Sequence, residues 1–427
     1  MRILFVSTSF PRDLRTHVSG SFQRMRMFVD AIKEVAHLDV LFYVPADVDT
    51  SPAAVSAWER ILSQHWETDL HLFLSQHSER RAALSKWQLY RAEITSFFEQ
   101  PGYMSTSGTQ QVRAFEHCLH RKPDAIFAHR LSAMCPPLLT HVPLPPIFFD
   151  LDDIEHVTLL RSINRQWTWR TKLMQYAHIP TLLWSERRAI RRAHCTFVCS
   201  ELDRNYLTKW WRLARVVTIP NVANAVKLLP VALNPTLLFV GTFAYQPNIE
   251  AAEFLINQVW PYIYRAMPEA RLIIAGNQPA RISGYDKGVL GVEFTGFVDD
   301  LEGLYQRARV VCAPILVGGG TRIKIIEAAG YGKAIVATRI GAEGLDMRDG
   351  IELLLRNDPG SFAAACLELL NDPILCERLG CAAHATAVRY YGRTEIVSLI
   401  QSYLQSAPSG INISRKSKAR VAFGSHG

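Results

Sequence analysis

The chain has 427 residues, 48% of them hydrophobic and 20% charged, with a formal net charge of +8. That length exceeds one comfortable core and predicts two or three domains, while the composition excludes a disordered chain. Half of the excess charge lies beyond Pro408, in Arg415, Lys416, Lys418 and Arg420, with no acidic residue among them.

The opening MRILFVSTSF pairs an Arg with a short apolar run. It passes into SFPRD without a small-residue cleavage site, so it reads as a first strand and the expected location is cytoplasmic. Further strand-like runs in the first half are HLDVLFYVP, DAIFAHR, PIFFDLDD, CTFVCSE and RVVTIPN. TLLFVGTF, ARLIIAGN, VEFTGFV, VVCAPIL, AIVATRI and ELLLRND are their counterparts in the second. Helical patterns such as residues 22–36 and 248–266 lie between them. Near-continuous apolar strands alternating with helices predict an α/β fold of parallel sheets covered on both faces. The pattern occurs twice, about a join at residues 222–235, which predicts two doubly wound, Rossmann-like domains facing across a cleft.

The expected domains are 1–225 on the acceptor side and 226–390 on the donor side. A C-terminal helix at 391–405 and a basic tail at 406–427 of disordered composition follow. Residues 49–111, rich in Ser, Gln, His and Trp, read as a helical insertion without clear strands. No apolar run reaches the roughly 18 to 20 residues of a spanning helix. The most apolar stretch, residues 131–149, contains Pro136, Pro137, Pro143, Pro145 and Pro146. The eight cysteines form no C-x-x-C, which points to buried thiols and away from a metal or disulfide framework.

Between Arg161 and Arg192 the chain holds Arg165, Arg170, Lys172, Arg187, Arg188 and Arg191 against the single acid Glu186, with Trp167, Trp169 and Trp184 interleaved. Basic and aromatic residues together suit nucleic acid or an anionic membrane. No nucleic-acid motif accompanies them. The alternatives are peripheral contact with anionic lipid or a lipid-phosphate acceptor, and an ordinary solvated helix face.

The most specific stretch is CAPILVGGGTRIKIIEAAGYGKAIVAT, residues 312–338, in which a strand runs into three glycines and then a helix. Glycines at a helix start let backbone N–H groups approach an anion, and the helix dipole favours negative charge there. Arg322 and Lys324 beside the turn suit a diphosphate, and Glu327 deeper on the helix suits a ribose diol. A charged helix face explains Lys324 and Glu327 as an i, i+3 pair but leaves Gly318, Gly319 and Gly320 unexplained.

This block, with FVGTFAYQPNIEA, ARLIIAGNQP, FTGFVDDLEGLYQRARV and IGAEGLDMRDGIELLL, resembles the retaining GT-B glycosyltransferases of family 4 (glycosyl transferases group 1), in a branch carrying GGGTR. The resemblance implies hexosyl transfer from a UDP- or GDP-sugar to an acceptor hydroxyl, without a metal or other cofactor. The implied setting is exopolysaccharide or surface-glycan synthesis on a glycan or lipid-linked acceptor. In the commoner pattern two glutamates stand eight positions apart, one near the sugar and one on the ribose. Glu327 matches the second, whereas Gly319 stands at the first. The Arg and Lys usual after the first donor-domain strand are also missing, since Gly241, Thr242 and Asn248 occupy that loop. Arg322 and Lys324 are then the candidates for stabilising the departing phosphate.

By the same resemblance Thr321 belongs to the grip, Gly276 with Asn277 and Phe297 with Val298 frame the base, and Gly20 with Ser21 approaches the diphosphate or acceptor. His129, just after a strand, is the expected contact to the donor sugar, and Asp152 a weaker one on the acceptor side. At the next strand end Asp150, Asp152 and Asp153 could orient acceptor hydroxyls or a basic side chain, or cap the helix that follows. Ser200, Glu201 and Asn221 match cleft and hinge positions of the family, where cap and turn roles compete. Two rival readings remain: a nucleotide-sugar epimerase or hydrolase on this architecture, and a non-catalytic nucleotide-sugar-binding subunit.

Overall fold

A computed structural model describes residues 1–14, 20–78, 85, 96–99, 102–163, 169–211, 215–285 and 288–406. Arg165, Trp167, the basic tail from 407 and part of the 49–111 stretch lie outside the described residues.

Two parallel sheets organise the chain. The first contains β1 (Arg2–Ser7), β2 (His37–Val44), β3 (Leu70–Gln76), β4 (Ala125–His129), β5 (Ile147–Asp150), β6 (Cys195–Val198) and β7 (Val216–Thr218), in the order β3-β2-β1-β4-β5-β6-β7. The second contains β8 (Thr236–Val240), β9 (Arg271–Ala275), β10 (Val292–Gly296), β11 (Val310–Ala313), β12 (Ala334–Ala337) and β13 (Leu354–Leu355), in the order β10-β9-β8-β11-β12-β13. The expected pair of doubly wound α/β domains is therefore present. Central strands such as β4 and β11 are buried along their whole length, because helices cover both faces of each sheet.

The helices used below are α1 (Gly20–Lys33), α2 (Pro52–Trp66), α3 (Glu155–Ile163), α4 (Trp169–Arg192), α5 (Ile323–Gly330), α6 (Pro373–Tyr391) and α7 (Arg393–Gln405). Each sheet carries an apolar core on either face. After α6 packs in the second domain, α7 crosses back, and Ile396, Ile400 and Leu404 enter the core around α1 and Phe28. The chain thereby closes its first domain with α7.

One expectation is corrected. Residues 49–111 are not a strand-free insertion, because α2 leads into β3, which pairs in parallel with β2 from Leu38↔Leu70 to Val44↔Gln76. The strand LHLFLSQ sits at the sheet edge and is only partly buried, so it lacks the continuous apolar run that marks the inner strands.

In both sheets the strand order reverses beside the first strand of the domain, at β1/β4 and at β8/β11. Crevices open beyond the carboxyl ends of strands at such switch points. Here the two crevices face one another.

Candidate functional site

The facing crevices enclose a cleft of about 670 Å³. One wall is built by the loop after β8 (Gly241, Thr242), the end of β9 (Gly276, Asn277), Phe297 and Val298, and the turn and start of α5. Its opposite wall carries Gly20, Ser21, Arg130, Asp152, Asp153 and Asn221.

The α5 helix begins at Ile323 with Arg322 as its N-cap, so Arg322 belongs to the glycine turn and not to the helix. Gly318 and Gly320 hold φ of 132° and 63°, a region side-chain-bearing residues rarely adopt. The Arg322 guanidinium folds back on this turn and donates from Nη1 to the carbonyls of Gly319 and Gly320. Its Nη2 is buried without a hydrogen-bond partner among the described residues. Gly318 does not line the cleft: its carbonyl faces Arg161 of α3, which donates to it at 3.1 Å and reaches Glu343 with Nη2 at 2.8 Å.

Lys324 extends over Gly241 and the ring of Phe239, 4.2 Å from its centroid, and donates to Asn248 Oδ1 at 2.9 Å. Asn248 in turn donates to the Thr242 carbonyl at 2.9 Å, which fixes the amide that holds the lysine. Burial first, and then the Arg322 charge, push the lysine down to about 7, with Glu327 opposing. Glu327 is 7% exposed and accepts from Asn224 Nδ2 at 3.3 Å. Burial pushes its carboxyl up to about 7, with bonds from Asn224 and Gln23 working the other way. Cations, a carboxylate and a glycine turn thus share one wall of the cleft.

Gly276 has a structural reason of its own. Its φ is 143°, and a β-carbon there would overlap the Gly241 carbonyl. Glycine at 276 lets the loops after β8 and β9 touch, whereas a β-carbon at Gly241 would crowd Asn248 and Lys324.

His129 is a correction. The ring is fully buried and is absent from the cleft wall. Its Nδ1 meets Ser7 Oγ at 2.9 Å, it stacks on Phe5, and Nε2 has no hydrogen-bond partner among the described residues. Burial first, then Arg130 and Arg24, drive its pKa well below the ordinary value, so it is neutral. The last strand position points inward, and the cleft is reached by the next residue. Arg130 is that residue, and it has φ of 71°. A non-glycine held there stores strain, which is a mark of functional sites. Strand alternation could have pointed to Arg130 in place of His129.

Of the roles open to Asp150, the one seen is the orienting of a basic side chain. It is fully buried against Arg24 of α1, with Nη2 at 2.7 Å and Nε at 3.0 Å from Oδ1. Arg24 also donates to the Ile219 carbonyl at 2.9 Å and to Asn221 Oδ1 at 3.1 Å. Asn221 then donates to the Thr321 hydroxyl at 2.8 Å, which carries the network into the glycine turn of the second domain. Asp152 lines the cleft, 3.5 Å from Arg24 Nε. Ser200 caps the following helix through Asp203, and Glu201 bonds Arg204 on the outer surface.

Residues 234–372 match the family model described as Glycosyl transferases group 1. Over 138 residues the chain is 28% identical to an uncharacterized 44.6 kDa protein in the cps region of Klebsiella pneumoniae, covering 30% of this chain and 36% of that one. Over 188 residues it is 29% identical to a phosphatidyl-myo-inositol mannosyltransferase of Mycobacterium tuberculosis, covering 42% and 49%. The matches therefore span between about a third and half the length of these relatives. Among solved structures, a sucrose-phosphate synthase from Thermosynechococcus elongatus superposes with TM-score 0.67 at 18% identity, over 95% of this chain and 98% of that one. Anabaena HepE in complex with UDP and glucose gives 0.62 at 15% identity, over 95% and 100%. WaaG, a glycosyltransferase involved in lipopolysaccharide biosynthesis, gives 0.60 at 12% identity, over 93% and 99%. At such identities these likenesses establish the fold, which is GT-B.

Proposed function

From a GT-B chain whose residues 234–372 form a glycosyl transferases group 1 domain, we propose a glycosyltransferase that moves a hexosyl unit from a nucleoside-diphosphate sugar to an acceptor hydroxyl. The observation that carries this reading is the wall formed by Arg322, Lys324 and Glu327 around the glycine turn, open to a cleft between two domains. Glu327 takes the ribose diol, and Lys324 with the Arg322 Nη2 and the turn N–H groups takes the diphosphate. Phe297 and Val298 frame the base.

In the reaction the bond from the anomeric carbon to phosphate breaks and the acceptor oxygen bonds that carbon. The acceptor proton passes to the departing diphosphate, so retention needs no enzyme nucleophile and the chemistry needs no metal. Arg322 and Lys324 stabilise the charge that grows on the leaving group. On the facing wall Gly20, against Ile323 at the start of α5, approaches the diphosphate, and Asp152 is the acceptor-side contact.

The acceptor is a glycan or a lipid-linked sugar of a surface polysaccharide, met at the inner face of an anionic membrane. Trp169, Leu173, Tyr176 and Trp184 are exposed along one stripe of α4, followed by exposed Arg191 and Arg192. Apolar anchors beside arginines suit a headgroup boundary. No helix among the described residues is long and apolar enough to span one.

Incubation of the purified chain with labelled UDP- and GDP-hexoses, with and without a lipid-linked acceptor extract, tests the reading. Labelled acceptor is the expected product. An isomerised or hydrolysed donor alone identifies an epimerase or hydrolase, and binding without turnover identifies a subunit. Either result replaces the proposal.

A further inference from the structure

Gly319 differs from the glycines on either side. Gly318 and Gly320 have positive φ, whereas Gly319 does not, so backbone conformation does not require glycine there. Space does. A β-carbon at 319 would overlap Asp153 Oδ1 and Thr158 Oγ1 of the facing domain. The position that lacks a carboxylate on the donor side is therefore filled by a carboxylate from the other side.

Asp153 is held for that place. The Thr158 hydroxyl lies 2.8 and 2.9 Å from its two oxygens. One hydroxyl proton uses a small part of a carboxylate's capacity, which is about four acceptor sites. Asp153 lines the cleft together with Arg130, Tyr245 and Arg322. Its burial also pushes the carboxyl up to about 6, with Thr158 and Arg322 opposing.

Glu327, Lys324 and Arg322 follow one another outward along α5 and its turn, and Asp153 comes next. A ligand whose ribose meets Glu327 and whose diphosphate meets the cations presents its sugar at this end. We propose that Asp153 is a specificity-determining residue, which accepts hydrogen bonds from hydroxyls of the transferred hexose and is delivered to the Gly319 turn by the opposite domain. This rests on the nucleotide-sugar reading of the cleft. A buried group that must be paired discriminates strongly against a ligand lacking the matching hydroxyl. Because the carboxylate and the turn belong to different domains, sugar selection depends on their apposition.

Asp153→Asn keeps the shape of the side chain, and Thr158→Val leaves Asp153 in place but releases it. Calorimetry with UDP and GDP reads the nucleotide end. Consumption of an epimeric donor pair, UDP-glucose with UDP-galactose or GDP-mannose with GDP-glucose, reads the sugar end. Both variants are expected to bind the nucleoside diphosphate within about twofold of wild type. Asp153→Asn is expected to lower kcat/KM for the preferred donor at least tenfold and bring the epimer ratio toward one, with a smaller shift for Thr158→Val. A wild-type epimer ratio in both variants, with nucleotide binding intact, overturns the role of Asp153 and leaves the cleft assignment standing. Failure of the wild-type chain to bind either nucleoside diphosphate overturns both.

Discussion

Asn221 donates its side-chain amide to the Thr321 hydroxyl at 2.8 Å while its carbonyl oxygen accepts from Arg24 at 3.1 Å. One side chain thus joins the buried Arg24–Asp150 ion pair of the first domain to the glycine turn of the second. Asn221→Ala leaves an Arg24 N–H bond and the Thr321 hydroxyl short of a partner. The expected cost is about 1–3 kcal/mol in urea unfolding, with a several-fold fall in donor kcat/KM. Unchanged stability together with unchanged kcat/KM rules out this coupling.

Arg130 separates strain from function. Its φ of 71° suits glycine better than arginine. Arg130→Gly is expected to keep or raise stability, by up to about 1 kcal/mol, while lowering transfer at least tenfold. Thermal melts and rates on one preparation check both halves. Wild-type rates in this variant would remove Arg130 from the cleft chemistry.

The Lys324 ammonium, pushed down to about 7 chiefly by burial, is charged below that pH and neutral above it. Attraction for a diphosphate is therefore present at low pH and is lost as pH rises through about 7. Inorganic pyrophosphate, which has no ribose, isolates this group from Glu327. The affinity advantage of wild type over Lys324→Met is expected to shrink about tenfold between about pH 6 and about pH 8. An advantage that stays constant across this range contradicts the assignment.

Glu155 sits at the start of α3 as hydrogen-bond acceptor to the Tyr103 hydroxyl, and burial, then Glu186, push its carboxyl from 4.5 up to about 8. The unfolded chain releases this proton near the ordinary value, whereas the folded chain keeps it until about 8. Stability is therefore expected to fall as pH rises between the two values. Glu155→Gln removes that contribution, so urea midpoints at about pH 5 and about pH 8 should differ less in the variant. An identical slope in both proteins excludes Glu155 as its source.

Much of the fold was legible because parallel strands leave apolar runs, and twelve such runs coincide with strands of the two sheets. β3 escaped because its partly buried LHLFLSQ breaks the apolar run with His71, Ser75 and Gln76. The glycine turn with Lys324 and Glu327 was legible as a linear motif, since one helix start carries it. Features assembled across the cleft were not. Asp153 against Gly319, Asn221 against Thr321 and Arg161 against Glu343 join residues more than 99 positions apart, which local spacing does not encode. His129 was taken for its neighbour because a strand end alternates its side chains, and only the packing shows which one turns outward.

The central claim is that the α5 wall binds a nucleoside diphosphate through Glu327 and its cations. Calorimetric titration of UDP and of GDP into the wild-type chain and into Glu327→Ala tests it most directly. The account predicts that one of the two nucleotides binds wild type with Kd on the order of micromolar, and Glu327→Ala at least tenfold more weakly. Equal Kd values for the two proteins, or no binding of either nucleotide to wild type, would contradict it.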